Sequence, residues 1–314
     1  MLNQMPEIAA PHPPHILQTF TPLLGKYGNL NEGKNFYLLV TDICDFVAAN
    51  PVVWEVKGLN AETVIDRCRK STLIEIYKSV YEIYAEEHGA KIWCCKSMAN
   101  LYFIPQIESN GIKPIYIHLV RDGRDVAASF RKAIVGEKHI YHLAKQWKQD
   151  QKTAKANCEK YAPDRYIHIS YEDLIHDAEN TMEKLLSRLG LHFNKSILDY
   201  YRTDEAKHTA KAGKMWNNVV QPVMTRNSNK FLTQLSAEDI MIFESIAGDM
   251  LETLGYQLHS EKSSLRASFS KKEIEEFDLI NKKMKLEAQA NLDPEGSEKR
   301  KAQEEIIQNI KTRA

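Results

Sequence analysis

Cysteine is scarce in this sequence. Cys44, Cys68, Cys94, Cys95 and Cys158 are spread over 314 residues, odd in number and without paired metal-ligand spacing. That pattern excludes a disulfide framework or a zinc ribbon and is the usage of free thiols in a reducing compartment. Vicinal Cys94 and Cys95 fall in a stretch read as a strand, where neighbouring side chains face opposite ways, so both are assigned to structure. Long apolar runs are missing as well: no stretch approaches the roughly 20 apolar residues that span a bilayer. The opening MLNQMPEIAAPHPPHILQTF has neither the basic n-region nor the apolar h-region of a signal peptide. A soluble, cytoplasmic chain is the expectation. Excess charge of either sign is absent too, with 42 Lys plus Arg against 42 Asp plus Glu. No global field then recruits nucleic acid or an anionic membrane, and any phosphate site has to be built locally. An internal repeat with a period of about 20 to 50 residues is also lacking, which excludes a solenoid.

What is present is ordinary globular usage, 43% hydrophobic and 27% charged, enough to fold one large α/β domain or two small ones. LNQMPEI reads as the end of a helix stopped by Pro6, and APHPPHIL as a rigid extended segment. Apolar spacing of three and four residues predicts helices around 36–49 and 61–88. AKIWCCK predicts a buried strand. PIYIHLV, dense in β-branched and aromatic residues, predicts another that stops at RDGRD. DVAASFRKAIV and 141–160 read as helices, DRYIHIS as a strand, and 176–190 and 194–202 as helices; 206–234 reads as a basic loop region. Strands separated by helices predict a parallel sheet. A capped helix is expected from Ser236 to Gly255. After a polar linker at 259–270, the charge-rich segment 271–314 reads as two exposed helices with a break at 291–296. The body of the protein is thus expected to span residues 1–258.

The chemistry concentrates at HLVRDGRDVAASF. A strand carries Arg121 to its C-terminal end, a turn at Gly123 reverses the chain, and Ser129 follows on the next helix. Ligands of open α/β sheets gather at that edge. A guanidinium fork and a hydroxyl near a helix N-terminus suit a dianionic phosphate, by bidentate donation and by the helix dipole. A second Gly-rich segment, Gly28-Asn-Leu-Asn-Glu-Gly33-Lys34, has the spacing of an ATP or GTP loop. It ends in Asn35, where a magnesium-binding hydroxyl is required, and follows no strand, which weighs against a third reading, an NTP-dependent kinase-like enzyme that magnesium-dependent ATP binding would reveal.

RDGRDVAAS at 121–129 resembles the 3′-phosphate motif of the sulfotransferase family, strand then R-D-P-R-D-x-x-x-S then helix, with Gly123 in place of the usual Pro. The resemblance runs over roughly residues 1 to 258. It includes Lys96-Ser97 before Pro105, YEDL at 171–174, and the stretch from Gln221 through Ser236 to Leu254-Gly255-Tyr256. It implies a P-loop-like α/β fold with a parallel sheet flanked by helices, and 3′-phosphoadenosine 5′-phosphosulfate (PAPS) as sulfuryl donor, without a metal. By the same resemblance Arg121 and Ser129 hold the 3′-phosphate, Tyr171 contacts the adenine, Arg226 and Lys230 cover the nucleotide, and Lys96 lies near the phosphosulfate.

Two departures stand beside this match. Family members carry a first strand and a G-x-[SP]-R-S-G-[ST]-[ST]-like loop for the 5′-phosphosulfate before the point where this sequence starts. The expectation is therefore a core missing its first strand, low in stability or inclined to oligomerise. The family's base is also replaced: Pro13 stands where one branch has Glu, and Met98 where another has His, leaving His12 and His15 as candidate bases. Two readings follow, a sulfotransferase acting on a hydroxyl or amine, or an impaired relative that keeps the 3′-phosphate half-site and binds a nucleotide or partner. Carbohydrate, lipid, peptide and small-molecule acceptors all fit the first.

Overall fold

A computed structural model describes residues 1–211, 214–290 and 294–313. In chain order its helices are α1 (Ile16–Phe20), α2 (Gly33–Ala48), α3 (Ala61–Arg67), α4 (Leu73–Glu87), α5 (Ile104–Ser109), α6 (Gly123–Phe130) and α7 (Ile140–Tyr161). They continue with α8 (Tyr171–His176), α9 (Ala178–Arg188), α10 (Asp204–Lys211), α11 (Phe231–Gln234), α12 (Ala237–Thr253), α13 (Lys271–Ala290) and α14 (Pro294–Thr312). The strands are β1 (Ile8–Ala9), β2 (Ile92–Trp93), β3 (Tyr116–Val120) and β4 (Tyr166–Ser170). The chain forms two compact units, one of Met1–Lys113, Asn194–Pro222 and Asp293–Ala314, the other of Pro114–Phe193 and Val223–Leu292.

In the first unit β1 pairs in parallel with β2, Ile8 opposite Ile92 and Ala9 opposite Trp93. LNQMPEI is therefore not a helix end: a single 3-10 turn at Leu2–Gln4 leads into β1. The pairing explains the change, because the Glu7 carbonyl accepts from the N–H groups of Lys91 and Ile92. The AKIWCCK strand is shorter and less buried than expected, with Ile92 38% exposed. The segment 61–88 is two helices: α3 ends at Arg67, where Cys68 turns extended, and Thr72 caps α4 by accepting from the Glu75 N–H. Leu39, Val40, Ile43 and Val47 of α2 and Ile76 and Val80 of α4 form the core with Phe20. This period-3.6 apolar stripe is what the sequence spacing encodes.

In the second unit β3 and β4 pair in parallel from Tyr116 opposite Tyr166 to Val120 opposite Ser170. Parallel neighbours require a crossover, and α6 and α7 supply it. Val120 and Ile167 are buried, whereas Leu119 is half-exposed. Trp147 of α7 and Phe243 and Leu251 of α12 fill the core behind α6. The helix expected over DVAASFRKAIV stops at Phe130. There the buried Lys138 ammonium donates to the carbonyls of Phe130 (3.1 Å) and Val135 (2.6 Å), the first of which a longer helix would have paired. The loop region 206–234 carries more regular structure than expected, including α10 and α11. Helix α12 begins at the expected cap, Ser236, which forms a capping box with Asp239, and Gly255, at φ 87°, ends it in the left-handed region.

The charged segment after 270 is helical, but its helices are not free-standing. In the second unit Ile274 and Phe277 of α13 pack on the core, and Asn281 accepts from the N–H groups of Lys138 and His139. In the first unit α14 buries Ile310 completely and fixes Asp42 through both guanidinium nitrogens of Arg313. Polar composition hides this because one apolar stripe per helix suffices to dock it. The expected break at 291–296 falls at Asn291, Leu292 and Asp293 outside the described residues. Among the described residues no helix is long and apolar enough to cross a membrane, and no group of three or more His, Cys, Asp or Glu could hold a metal ion.

Candidate functional site

The end of β3 in the second unit gathers two arginines, Arg121 and Arg124, among the carboxylates of Asp122, Asp125, Glu172 and Glu244. Asp122 follows Arg121 and caps α6, its carboxylate accepting from the Arg124 N–H at 2.9 Å. Gly123 opens the helix because a side chain has no room there: an added Cβ would lie 2.5 Å from Trp147 Cδ2 and 2.6 Å from Phe243 Cζ. This close approach accounts for glycine in the motif. Arg124 turns inward under α6, where it is 3% exposed. It donates to Asp122 at 2.7 and 3.0 Å and to Glu244, with its guanidinium 4.1 Å from the Phe231 ring centre. Burial works against this charge, but the two carboxylates outweigh it and raise its pKa. Arg124 is thus structural, and Arg121 is the arginine left at the strand end.

The Arg121 guanidinium lies 4.7 Å from the ring centre of Tyr171, the first residue of α8. Its Nη2 donates to the Asn227 carbonyl at 2.8 Å and stands 3.5 Å from Asp125 Oδ2. Its Nε is buried and has no hydrogen-bond partner. Asn227 also donates its side-chain amide to Tyr171 Oη at 2.5 Å. Glu172 braces the turn, accepting from the Asp122 N–H at 3.0 Å and from Tyr256 Oη at 2.9 Å. Asp125 accepts from the Phe231 N–H at 2.8 Å, and burial raises its pKa. The arrangement holds one cationic fork between an aromatic face and a loop, with a donor nitrogen to spare.

The structure brings Arg121 and Tyr171 together. Ser129 lies on the exposed side of α6, and Arg226 and Lys230 are exposed on either side of Asn227. Asn227 itself escaped the sequence reading, although it stands in the quoted segment beginning at Gln221. Nothing in an isolated Asn marks it until Tyr171 and Arg121 are seen on both its polar ends.

His12, His15 and Lys96 belong to the first unit. His15 is the N-cap of α1 in the left-handed region, at φ 57° and ψ 38°. Its Nδ1 lies 2.9 Å from Ser97 Oγ. His12 packs edge-on against Trp216 at 5.1 Å between ring centres, and its Nδ1 is buried without a partner. Its carbonyl is held by Trp54 Nε1 at 2.8 Å. Burial first, then the neighbouring cations Lys96 and Arg300, lower the His12 pKa to about 4. Burial and Lys96 also lower that of His15. Lys96 is exposed and acts electrostatically on both rings. Ser97 and Trp216 are additions of the structure; the one signal for Ser97 is its place directly after Lys96.

The sequence matches the sulfotransferase family over residues 1–195, more than half of its length. The chain belongs to the sulfotransferase family. Among solved structures it is similar to the sulfotransferase domain from the Synechococcus PCC 7002 olefin synthase, with 17% identity and a TM-score of 0.51 over 82% of this chain and 88% of that one. This is a likeness of fold. A sulfotransferase domain from the curacin biosynthetic pathway also matches, at 21% identity and a TM-score of 0.43 over 59% of this chain and 69% of that one. No curated protein matches the sequence.

Proposed function

We propose that this sulfotransferase-family chain moves a sulfuryl group from PAPS to a hydroxyl or amine of its acceptor. The observation that carries the reading is Arg121. It stands at the C-terminal end of a parallel strand, beside the first turn of α6, with a buried Nε that lacks a partner. An anionic oxygen fits that atom, since an orphaned buried donor is costly and a charge-assisted bond to phosphate removes the cost. Arg121 is assigned to the 3′-phosphate together with Ser129, Tyr171 to the adenine, and Arg226 and Lys230 to the covering loop.

In the first unit Lys96 is assigned to the phosphosulfate and His15 to proton removal. The acceptor oxygen or nitrogen forms its bond to sulfur as the bond from sulfur to the phosphate oxygen breaks. Its proton passes to an imidazole, and adenosine 3′,5′-bisphosphate leaves. His15 suits the base because burial of part of its ring and the charge of Lys96 disfavour the imidazolium while the residue still reaches solvent, whereas His12 is packed against Trp216.

The test is calorimetric titration with adenosine 3′,5′-bisphosphate, followed by radiolabelled sulfuryl transfer from PAPS to carbohydrate, lipid, peptide and small-amine pools. Saturable binding with transfer supports the proposal. Binding without transfer leaves the half-site reading in its place, and absence of binding removes both.

A further inference from the structure

His15 is constrained more than an exposed histidine requires. Pro13 and Pro14 fix the backbone that leads into it. Its own backbone sits at φ 57°, a left-handed conformation that non-glycine residues keep only where the surroundings enforce it. The buried residues Ile16, Leu17 and Phe20 anchor α1 immediately after it. The side chain is then tied to a separate part of the chain by the 2.9 Å contact of Nδ1 with Ser97 Oγ. With Nδ1 engaged by Ser97, Nε2 is the ring nitrogen left for another partner. For Nε2 to accept a proton, Nδ1 has to carry one, and Ser97 Oγ is then the acceptor of that N–H.

We propose that Ser97 is a positioning residue that holds His15 with Nδ1 protonated, so that Nε2 faces the acceptor as the base. The inference rests on the assignment of His15 to proton removal. The step balances: Nε2 takes the proton of the acceptor hydroxyl or amine, and the new oxygen–sulfur or nitrogen–sulfur bond replaces the sulfur–oxygen bond to the nucleotide. The Nδ1–H to Ser97 bond persists in the imidazolium, which returns its proton to water after turnover. Lys96 and His12 are the charged or titratable groups nearest to this ring in the electrostatic sense, and Lys96 disfavours a second positive charge there. That keeps the imidazole neutral and receptive between turnovers.

The experiment is nitrogen-15 NMR of the histidine side chains in the full chain at pH 7.5, with His15 assigned by its loss in His15→Gln. A pyrrole-type Nδ1 and a pyridine-type Nε2 are expected for His15. Ser97→Ala should move the signals toward the opposite tautomer, and Ser97→Thr, which keeps the hydroxyl, should restore them. In the transfer assay Ser97→Ala should lower kcat by about tenfold or more with little change in KM for PAPS, again rescued by Thr. A protonated Nε2 in the unsubstituted protein, or signals indifferent to Ser97→Ala, overturns the inference. The expected NMR pattern without any turnover overturns instead the transferase reading and leaves the tautomer assignment standing.

Discussion

Arg121 stacks its guanidinium over Tyr171 at 4.7 Å, and Asn227 bridges the pair by accepting from the first and donating to the second. The two residues come from the ends of neighbouring parallel strands, so the register of β3 on β4 sets their meeting. Arg121→Ala should weaken binding of adenosine 3′,5′-bisphosphate by about 1.5–3 kcal/mol, the scale of a lost charge-assisted bond. Arg121→Lys should recover only part, because an ammonium lacks the planar fork. Titration calorimetry reads both, and an unchanged affinity would take Arg121 out of the site.

Gly123 is fixed by its neighbours. A methyl group there would overlap Trp147 and Phe243, whose rings are themselves packed at 5.8 Å in the core. Gly123→Ala should cost about 1–3 kcal/mol by overpacking. Urea unfolding monitored by Trp fluorescence measures it; a midpoint equal to that of the unsubstituted chain would mean the rings yield without penalty.

The parts of this molecule that were legible in the sequence are those written in local chemistry. The strand PIYIHLV, the helix cap at Ser236 and the apolar stripes of α2 and α4 announce themselves within a few residues. The place of Arg121 between a strand and a helix was legible because both elements and the turn lie within one short motif. What escaped depends on partners far along the chain: β1 exists because Glu7 meets Lys91 and Ile92, and α6 ends because Lys138 folds back on Phe130. Asn227 gains meaning only from Tyr171, and Ser97 only from His15. Likewise the docked faces of α13 and α14 were hidden by their charged majority, since Phe277 and Ile310 are single letters among many polar ones.

The buried Arg124 depends on two acids. Glu244 receives its guanidinium and also the N–H groups of His259 and Ser260 at 2.8 and 2.7 Å, which together hold the Glu244 pKa low against the opposing effect of burial. Glu244→Ala should destabilise the second unit by about 3–5 kcal/mol, because it leaves a buried cation half-paired and two amide donors bare. Glu244→Gln, which keeps one acceptor oxygen, should cost less. Equal losses for the two variants would show that packing and not charge sets the cost.

Ile310 gives α14 a direct stake in the first unit. Its side chain is fully buried where α14 meets α2 and the 3-10 segment Thr21–Lys26, and Arg313, three residues further on, holds Asp42, which also accepts from Tyr27 Oη at 2.6 Å. Ile310→Ala should cost about 2–5 kcal/mol, the range for a large aliphatic residue removed from a core. Denaturant unfolding and limited proteolysis at 294–313 would report it. A loss within error would mean that α14 contributes little to the folded unit.

Two imidazoles make the fold sensitive to mild acid. His12 in the first unit and His139 in the second both have pKa values lowered from the ordinary 6.5 to about 4, burial being the main cause in each. His139 also uses its Nδ1 to accept from the Tyr141 N–H at the start of α7, which a proton would prevent. The unfolded chain therefore binds protons at these sites between pH 6.5 and 4 while the folded chain does not. Stability is full above about pH 6.5, falls as pH drops through that window, and levels off below about pH 4. Allowing for partial exposure, each residue should account for about 1–2 kcal/mol of the loss. Unfolding free energies at pH 7.5, 6.5, 5.5 and 4.5 trace the effect, and His139→Asn, which can still cap α7, separates it from the titration of carboxylates. If the variant and the unsubstituted chain lose stability in parallel over that range, His139 titrates at its ordinary pH in the folded protein.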